Sequence, residues 1–172
     1  GADFGAREVY VANHTGNSVS IIDTATNSVL ATVPVGNGPR SPVANSGLGK
    51  VYVPNYNDAS VSVIDTLTRT VTKTIPVGSG PQYAAVDAAH DKVYVNNVAD
   101  RTISVIDSAT DSVIKTLPSG AGSDDNFGIV NHAYGRYYLA NSVDNTVTIV
   151  DTDTDTVAGT VPVGTKPIQI QT

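Results

Sequence analysis

Apolar residues along this chain fall in short runs rich in Val, Ile and Tyr, each closed by a cluster of Asn, Asp, Ser, Thr or Gly. The runs recur. Val9 to Asp23 reads VYVANHTGNSVSIID, Val51 to Asp65 reads VYVPNYNDASVSVID, Val93 to Asp107 reads VYVNNVADRTISVID, and Tyr137 to Asp151 reads YYLANSVDNTVTIVD. The starts at 9, 51, 93 and 137 lie 42, 42 and 44 residues apart. A fixed period of this length marks stacked structural units, each unable to bury its apolar surface alone. Every unit offers four short β-runs separated by turn residues, the pattern of a four-stranded antiparallel blade. From the inside out these are strand A (near 41–45, 83–87 and 127–131), strand B (VYV), strand C (SVSVID) and strand D (TVxxTIPV). The runs are apolar on both faces, as expected of a sheet packed between two neighbours. No 3.6-residue period is present, which excludes a helical solenoid, and a parallel β-helix would use shorter rungs.

These segments resemble the YVTN β-propeller repeat, whose strand B motif stands here as VYVAN, VYVPN, VYVNN and YYLAN. The likeness covers nearly the whole chain and extends to V-S-V-I-D-T and I-P-V-G-x-G-P. It implies an all-β propeller of four repeats in one domain over residues 1–172. Because family members commonly carry seven or eight blades, completion to eight by a second chain is the expected closure, with a four-bladed ring in one chain and a piece of a longer propeller as the alternatives. The family includes cell-surface and surface-layer proteins, and its fold is shared with lactonases and lyases, so fold alone decides no chemistry.

The ends depart from the repeat. Residues 1–8 are too short for a strand A ahead of the first VYV, while KPIQIQT (166–172) alternates apolar and polar positions as a strand should. That segment is expected to complete a first blade, in the same chain or in another. An unpaired strand edge invites association, so a homo-oligomer formed by terminal-strand exchange is expected.

Composition narrows the functions. Net charge is −6 with ten scattered basic residues, so no patch can neutralise a row of phosphates and no nucleic-acid partner is expected. No apolar run approaches the roughly 20 residues of a membrane-spanning helix, so no membrane insertion is expected. The absence of Cys removes disulfides, thiolate metal sites and Cys nucleophiles. Abundant Thr, Asn, Ser and Gly point to a secreted or cell-surface protein in mature form, without a signal peptide.

Repeated polar residues are expected to serve architecture. Asp23, Asp65, Asp107 and Asp151 close strand C ahead of short turns, where a carboxylate accepts backbone N–H bonds. Asn13, Asn55, Asn97 and Asn141 close strand B and are read as turn-formers. The glycine-rich GNGPR, GSGPQ and GAGSD segments lack the Lys-Ser/Thr pair of a phosphate loop. Asp151, Asp153 and Asp155 have the opening spacing of a calcium loop without its glycine or closing Glu. His90 and His132 fall in A-to-B turns, away from His14. No Ser lies in a nucleophile elbow.

Function is therefore sought where the repeat breaks. The third D-to-A loop holds two extra residues and reads Gly122-Ser123-Asp124-Asp125-Asn126-Phe127. In propellers this loop shares a face with the B-to-C tips. The expected ligand-binding set is Asp124, Asp125 and Asn126 with Tyr56, Asp58, Asp100, Arg101, Asp144, His14 and Arg40. A polar, partly aromatic face of this kind suits a glycan or protein ligand, with no catalytic residue, metal or cofactor expected. The alternative is a metal-dependent lactonase or lyase with its site at the channel mouth.

Overall fold

A computed structural model of the chain describes residues 7–120 and 127–172. Among these residues, fifteen strands form four antiparallel sheets in chain order. The first sheet has three strands, β1 (Glu8–Asn13), β2 (Ser18–Asp23) and β3 (Ser28–Pro34). The second has four: β4 (Val43–Asn45), β5 (Lys50–Asn55), β6 (Ser60–Asp65) and β7 (Thr70–Pro76). The third comprises β8 (Pro81–Asp87), β9 (Lys92–Asn97), β10 (Thr102–Asp107) and β11 (Ser112–Pro118). The fourth comprises β12 (Gly128–Asn131), β13 (Arg136–Asn141), β14 (Thr146–Asp151) and β15 (Thr156–Pro162). These are the blades and A-to-D strands expected from the repeat.

The turns follow from their residues. Each B-to-C and C-to-D turn ends on a residue with positive φ: Asn17, Ala59, Arg101 and Asn145 in the first class, Asn27, Arg69, Asp111 and Asp155 in the second. A tight turn closed by one left-handed residue reverses the chain without splaying the strands. The strand C aspartates then cap the C-to-D turn. Asp107 Oδ1 accepts bonds from the Ala109 and Thr110 amides at 3.0 and 2.8 Å, and Asp23, Asp65 and Asp151 act alike. Bonds from the Thr68, Thr110 and Thr154 amides and hydroxyls hold the carboxyls of Asp65, Asp107 and Asp151 below the usual carboxylate range. All four blades carry a register shift at the same place between strands C and D, where a bulge increases twist.

Blades meet through one repeated interface. Val19, Ile21 and Val33 of blade 1 pack on Val51, Val53 and Ile64 of blade 2. Tyr52, Val61, Val63 and Ile75 of blade 2 pack on Val93, Val95 and Ile106 of blade 3. Tyr94, Ile103, Val105 and Leu117 of blade 3 then pack on Tyr137, Leu139 and Val150 of blade 4, with the Tyr94 and Tyr137 rings stacked at 4.9 Å. Each such side chain, fully buried, contributes about 1.5–3 kcal/mol. β5 of blade 2 and β9 of blade 3 are buried at every position but the first, whereas β1 of blade 1 has no fully buried position and β14 of blade 4 alternates buried with half-buried ones. No apolar cluster joins blade 4 to blade 1 among the described residues, so the four blades form an open arc. In this chain the segment 166–172 is not a strand on β1, and its Ile168 carbonyl accepts a bond from the Phe127 amide at 3.2 Å.

Candidate functional site

The loop face is built by each blade gripping the D-to-A loop that leads into it. Gly36, Gly78 and Gly120 open these loops directly over the buried Asn that ends the following strand B. A Cβ on Gly36 would lie 2.6 Å from Asn55 Cγ, one on Gly78 2.8 Å from Asn97 Nδ2, and one on Gly120 2.5 Å from Asn141 Cγ. The asparagines are held from below. Asn55 Nδ2 donates to Ser60 and Ser62 at 3.0 and 2.9 Å, Asn97 Nδ2 to Thr102 and Ser104, and Asn141 Nδ2 to Thr146 and Thr148. These residues, with Asn13 on Ser18 and Ser20, pin strand B to strand C. Reading them as turn-formers is thus corrected: a side chain at this register reaches two hydroxyls on the neighbouring strand.

Two of the aspartates expected to meet a ligand, Asp58 and Asp100, are engaged in the same grip. Asp58 accepts from the Asn37 amide, and Asp100 Oδ2 accepts from the Ser79 amide at 2.6 Å. Asp144 occupies the equivalent place on blade 4, where a cleft of about 260 Å³ opens beside Pro118, Gly120, Thr146 and Thr148. That volume is below the roughly 300 Å³ at which small-molecule sites begin. Arg101 is exposed on the blade 3 tip. Asp124, Asp125 and Asn126 lie outside the described residues.

His14, Arg40 and Tyr56 do come together, where blade 1 meets blade 2. The Arg40 guanidinium lies over the Tyr56 ring, 5.0 Å from its centroid. His14 Nδ1 is 3.3 Å from the Pro39 carbonyl, and Asn57 Nδ2 donates to Asn37 Oδ1 at 3.2 Å. A stacked cation and ring beside two carboxamides and an imidazole present planar donors, acceptors and a π-surface, which can bind polar groups but offer no paired acid and base. Toward the axis, Tyr83 and Phe127 meet at 3.9 Å.

The opposite face carries a cluster that sequence reasoning missed. Asp87, buried at the end of β8, bonds His90 Nδ1 at 2.8 Å and lies 3.4 Å from His132 Nδ1. His90 Nε2 continues to Asp153 Oδ1 on blade 4 at 2.8 Å. His90 and His132 are indeed remote from His14, but they converge on one carboxylate. The hydrogen bond that His90 donates to Asp87 raises the His90 pKa; burial opposes it, and the charges of Asp87 and Asp153 add to it. Burial works to raise the Asp87 pKa, yet the bond to His90 and its charge outweigh this and leave it lowered. The i,i+3 spacing of Asp87 and His90 was a visible signal. The blade 4 contribution was not. The three carboxylates of DTDTDT go to three different places: Asp151 to its own turn, Asp153 to His90, and Asp155 to Lys92 and Tyr94. No group of three or more His or carboxylate side chains is arranged to hold a metal among the described residues.

No protein-family model matches the chain, and no curated protein matches it in sequence. Solved structures match its fold. Hydrazine synthase from Kuenenia stuttgartiensis superposes with a TM-score of 0.82 at 20% identity, over 92% of this chain and 47% of that one. Dihydro-heme d1 dehydrogenase NirN, in complex with DHE, superposes with a TM-score of 0.77 at 16% identity, over 95% of this chain and 36% of that one. The chain thus spans less than half the length of either. Both are propeller proteins, and the chain is an all-β protein built of propeller blades.

Proposed function

We propose that the chain is a YVTN-type propeller module that binds rather than catalyses, taking a glycan or protein ligand on its loop face in an extracellular setting. The observation that carries this reading is the Arg40–Tyr56 stack with His14, Asn37 and Asn57 around it. Planar hydrogen-bonding groups beside an aromatic ring suit sugar hydroxyls or peptide amides. The nearby carboxylates of Asp58 and Asp100 already serve the loop backbone, which favours recognition over acid–base chemistry. Asp124, Asp125 and Asn126 belong to the proposed face by their place in the repeat.

A glycan array and a pull-down with surface extracts identify the ligand class. Arg40→Ala is then expected to weaken the ligand found by about five-fold, equivalent to about 1 kcal/mol for a lost cation–π contact, with an unchanged melting temperature. Unchanged affinity would remove this junction from the site. Turnover of a lactone that depends on a stoichiometric divalent ion would replace the binding reading altogether.

A further inference from the structure

Each junction between blades carries the same polar contact on the face opposite the loops. Lys50 of blade 2 pairs with Asp111 of blade 3 at 2.7 Å and donates to the Ser108 carbonyl at 2.7 Å, while the Tyr52 hydroxyl donates to Asp111 at 2.7 Å. Lys92, Tyr94 and Asp155 repeat this between blades 3 and 4, at 2.8 Å for both contacts with Asp155. Between blades 1 and 2 the signs are reversed: Arg69 of blade 2 binds Glu8 of blade 1 at 2.7 Å, and Tyr10 donates to Glu8 at 2.5 Å. In every case the first residue of strand B pairs with the left-handed residue of the next blade's C-to-D turn, and the Tyr two positions on donates to the acidic member of the pair.

The outer faces of blades 1 and 4 carry, at equivalent positions, the kinds of residue that meet at the internal junctions. Blade 1 presents Val9, Val11 and Val29, all exposed, at the positions where Val51, Val53 and Val71 of blade 2 receive blade 1. Blade 4 presents Tyr138, Val147, Ile149 and the exposed Val161 at the positions where Tyr52, Val61, Val63 and Ile75 meet blade 3. The polar contact is set up as well. Arg136 and Tyr138 stand where Lys50 and Tyr52 stand, and Asn27, at φ 53°, stands where Asp111 stands. Asn27 has a side-chain carbonyl that can accept from both. Within the chain Arg136 folds back to Asp151 at 2.8 Å, and the Tyr138 hydroxyl makes no hydrogen bond among the described residues.

An independent trace lies in the loops. Gly36, Gly78 and Gly120 are each required by the Asn beneath them, yet Gly164, at the same place after blade 4, has nothing within 4 Å of its Cβ position. Asn13 of blade 1 is the one strand B asparagine with no such glycine over it among the described residues. A blade 1 set after blade 4 would place Gly164 over Asn13, as Gly36, Gly78 and Gly120 lie over Asn55, Asn97 and Asn141.

We infer that the blade 4 face docks on the blade 1 face of a second copy, two such junctions closing an eight-bladed ring. The tail fits this placement, since Ile168 is bonded to Phe127 at the inner edge of blade 4, where the next strand A would lie. One element of the internal junctions is missing. Gly16 stands where Asp58, Asp100 and Asp144 stand on the other blades, so this junction has no aspartate to grip its loop. Association is therefore concentration-dependent.

The test is the mass of the 172-residue chain by sedimentation or light scattering over a wide concentration range. A species near twice 17.7 kDa is expected. Asn27→Arg, which puts a residue tolerated at Arg69 opposite Arg136, should weaken the dimer at least ten-fold, the effect of a like charge at an interface. Asn27→Asp should tighten it, and Asn27→Arg with Arg136→Glu should restore it. The restored pair guards against mere misfolding. A mass that stays at 17.7 kDa at every concentration, a growing open series, or a dimer indifferent to Asn27 and Arg136 would overturn the inference.

Discussion

Replacing Gly78 by Ala tests the account of how blades grip their loops. The new methyl carbon would lie 2.8 Å from Asn97 Nδ2, 2.9 Å from Asn97 Cγ and 2.9 Å from Thr102 Oγ1, all closer than real Cβ contacts. Asn97 is fully buried and bonded to Thr102 and Ser104 at 3.1 and 2.9 Å, so it has nowhere to retreat without breaking them. Overpacking a filled site costs about 1–3 kcal/mol, and displacing Asn97 adds about 1 kcal/mol for each bond lost. A net loss of about 2–3 kcal/mol should lower the melting temperature by roughly 4–12 °C in a domain of this size. Gly164→Ala is the control. It meets nothing in the single chain, its φ is not in the left-handed region, and removing a glycine there should be neutral or stabilising by up to about 1 kcal/mol. Calorimetry on both variants, at a dilution where the chain is single, gives the answer. Equal melting shifts, or no loss for Gly78→Ala, would refute the grip as the reason for these glycines.

Two further outcomes follow from the ion pairs and loops. The Asp87–His90–Asp153 bridge should make the contact of blades 3 and 4 pH-dependent. Because the His90 pKa is raised in the folded chain, its contribution is complete below the unfolded value of about 6.5 and fades as pH rises through the folded one. Because the Asp87 pKa is lowered, its contribution is present above about 3.8 and fades as pH falls through its folded value. The melting-temperature advantage of the parent over His90→Gln should therefore be largest in mildly acidic buffer and shrink toward alkaline pH, as thermal scans across pH will show. Asp100→Ala should free the Ser79 amide and speed its hydrogen exchange several-fold while leaving the β9 amides protected; a uniform rise along β9 would mean that Asp100 supports the whole blade.

The repeat made most of the fold legible. The motifs around Tyr52, Tyr94 and Tyr138 located strand B, and the strand C aspartates announced their turns, because an Asp before a short turn has few other uses. What stayed hidden depends on register between blades. Asn55 and Asn97 look like any residue at the end of a strand. Only the pairing of strand B with strand C shows that each reaches two hydroxyls and lies beneath a glycine. Asp58 and Asp100 looked available because they sit on loop tips, and the structure turns them back to a neighbouring loop some twenty residues earlier in the chain. The repeat places His14, Arg40 and Tyr56 on loops of one face, but the stacking of Arg40 on Tyr56 depends on how blade 2 leans on blade 1, which no local pattern encodes.

The reversed pair Glu8–Arg69 has a bearing on how such a chain finds its native order. Similar repeats risk docking out of sequence while they fold, since the apolar parts of the junctions are built alike from Val, Ile and Leu. Blade 1 set on blade 3 would place Glu8 against Asp111, and blade 3 set on blade 2 would place Lys92 against Arg69. Each misplacement buries like charges, whereas the sequential order pairs opposite ones. The exchange of two charges thus acts as an address label on the first blade, and a chain with Glu8→Lys and Arg69→Asp, made uniform with its neighbours, should refold with a larger misassembled fraction.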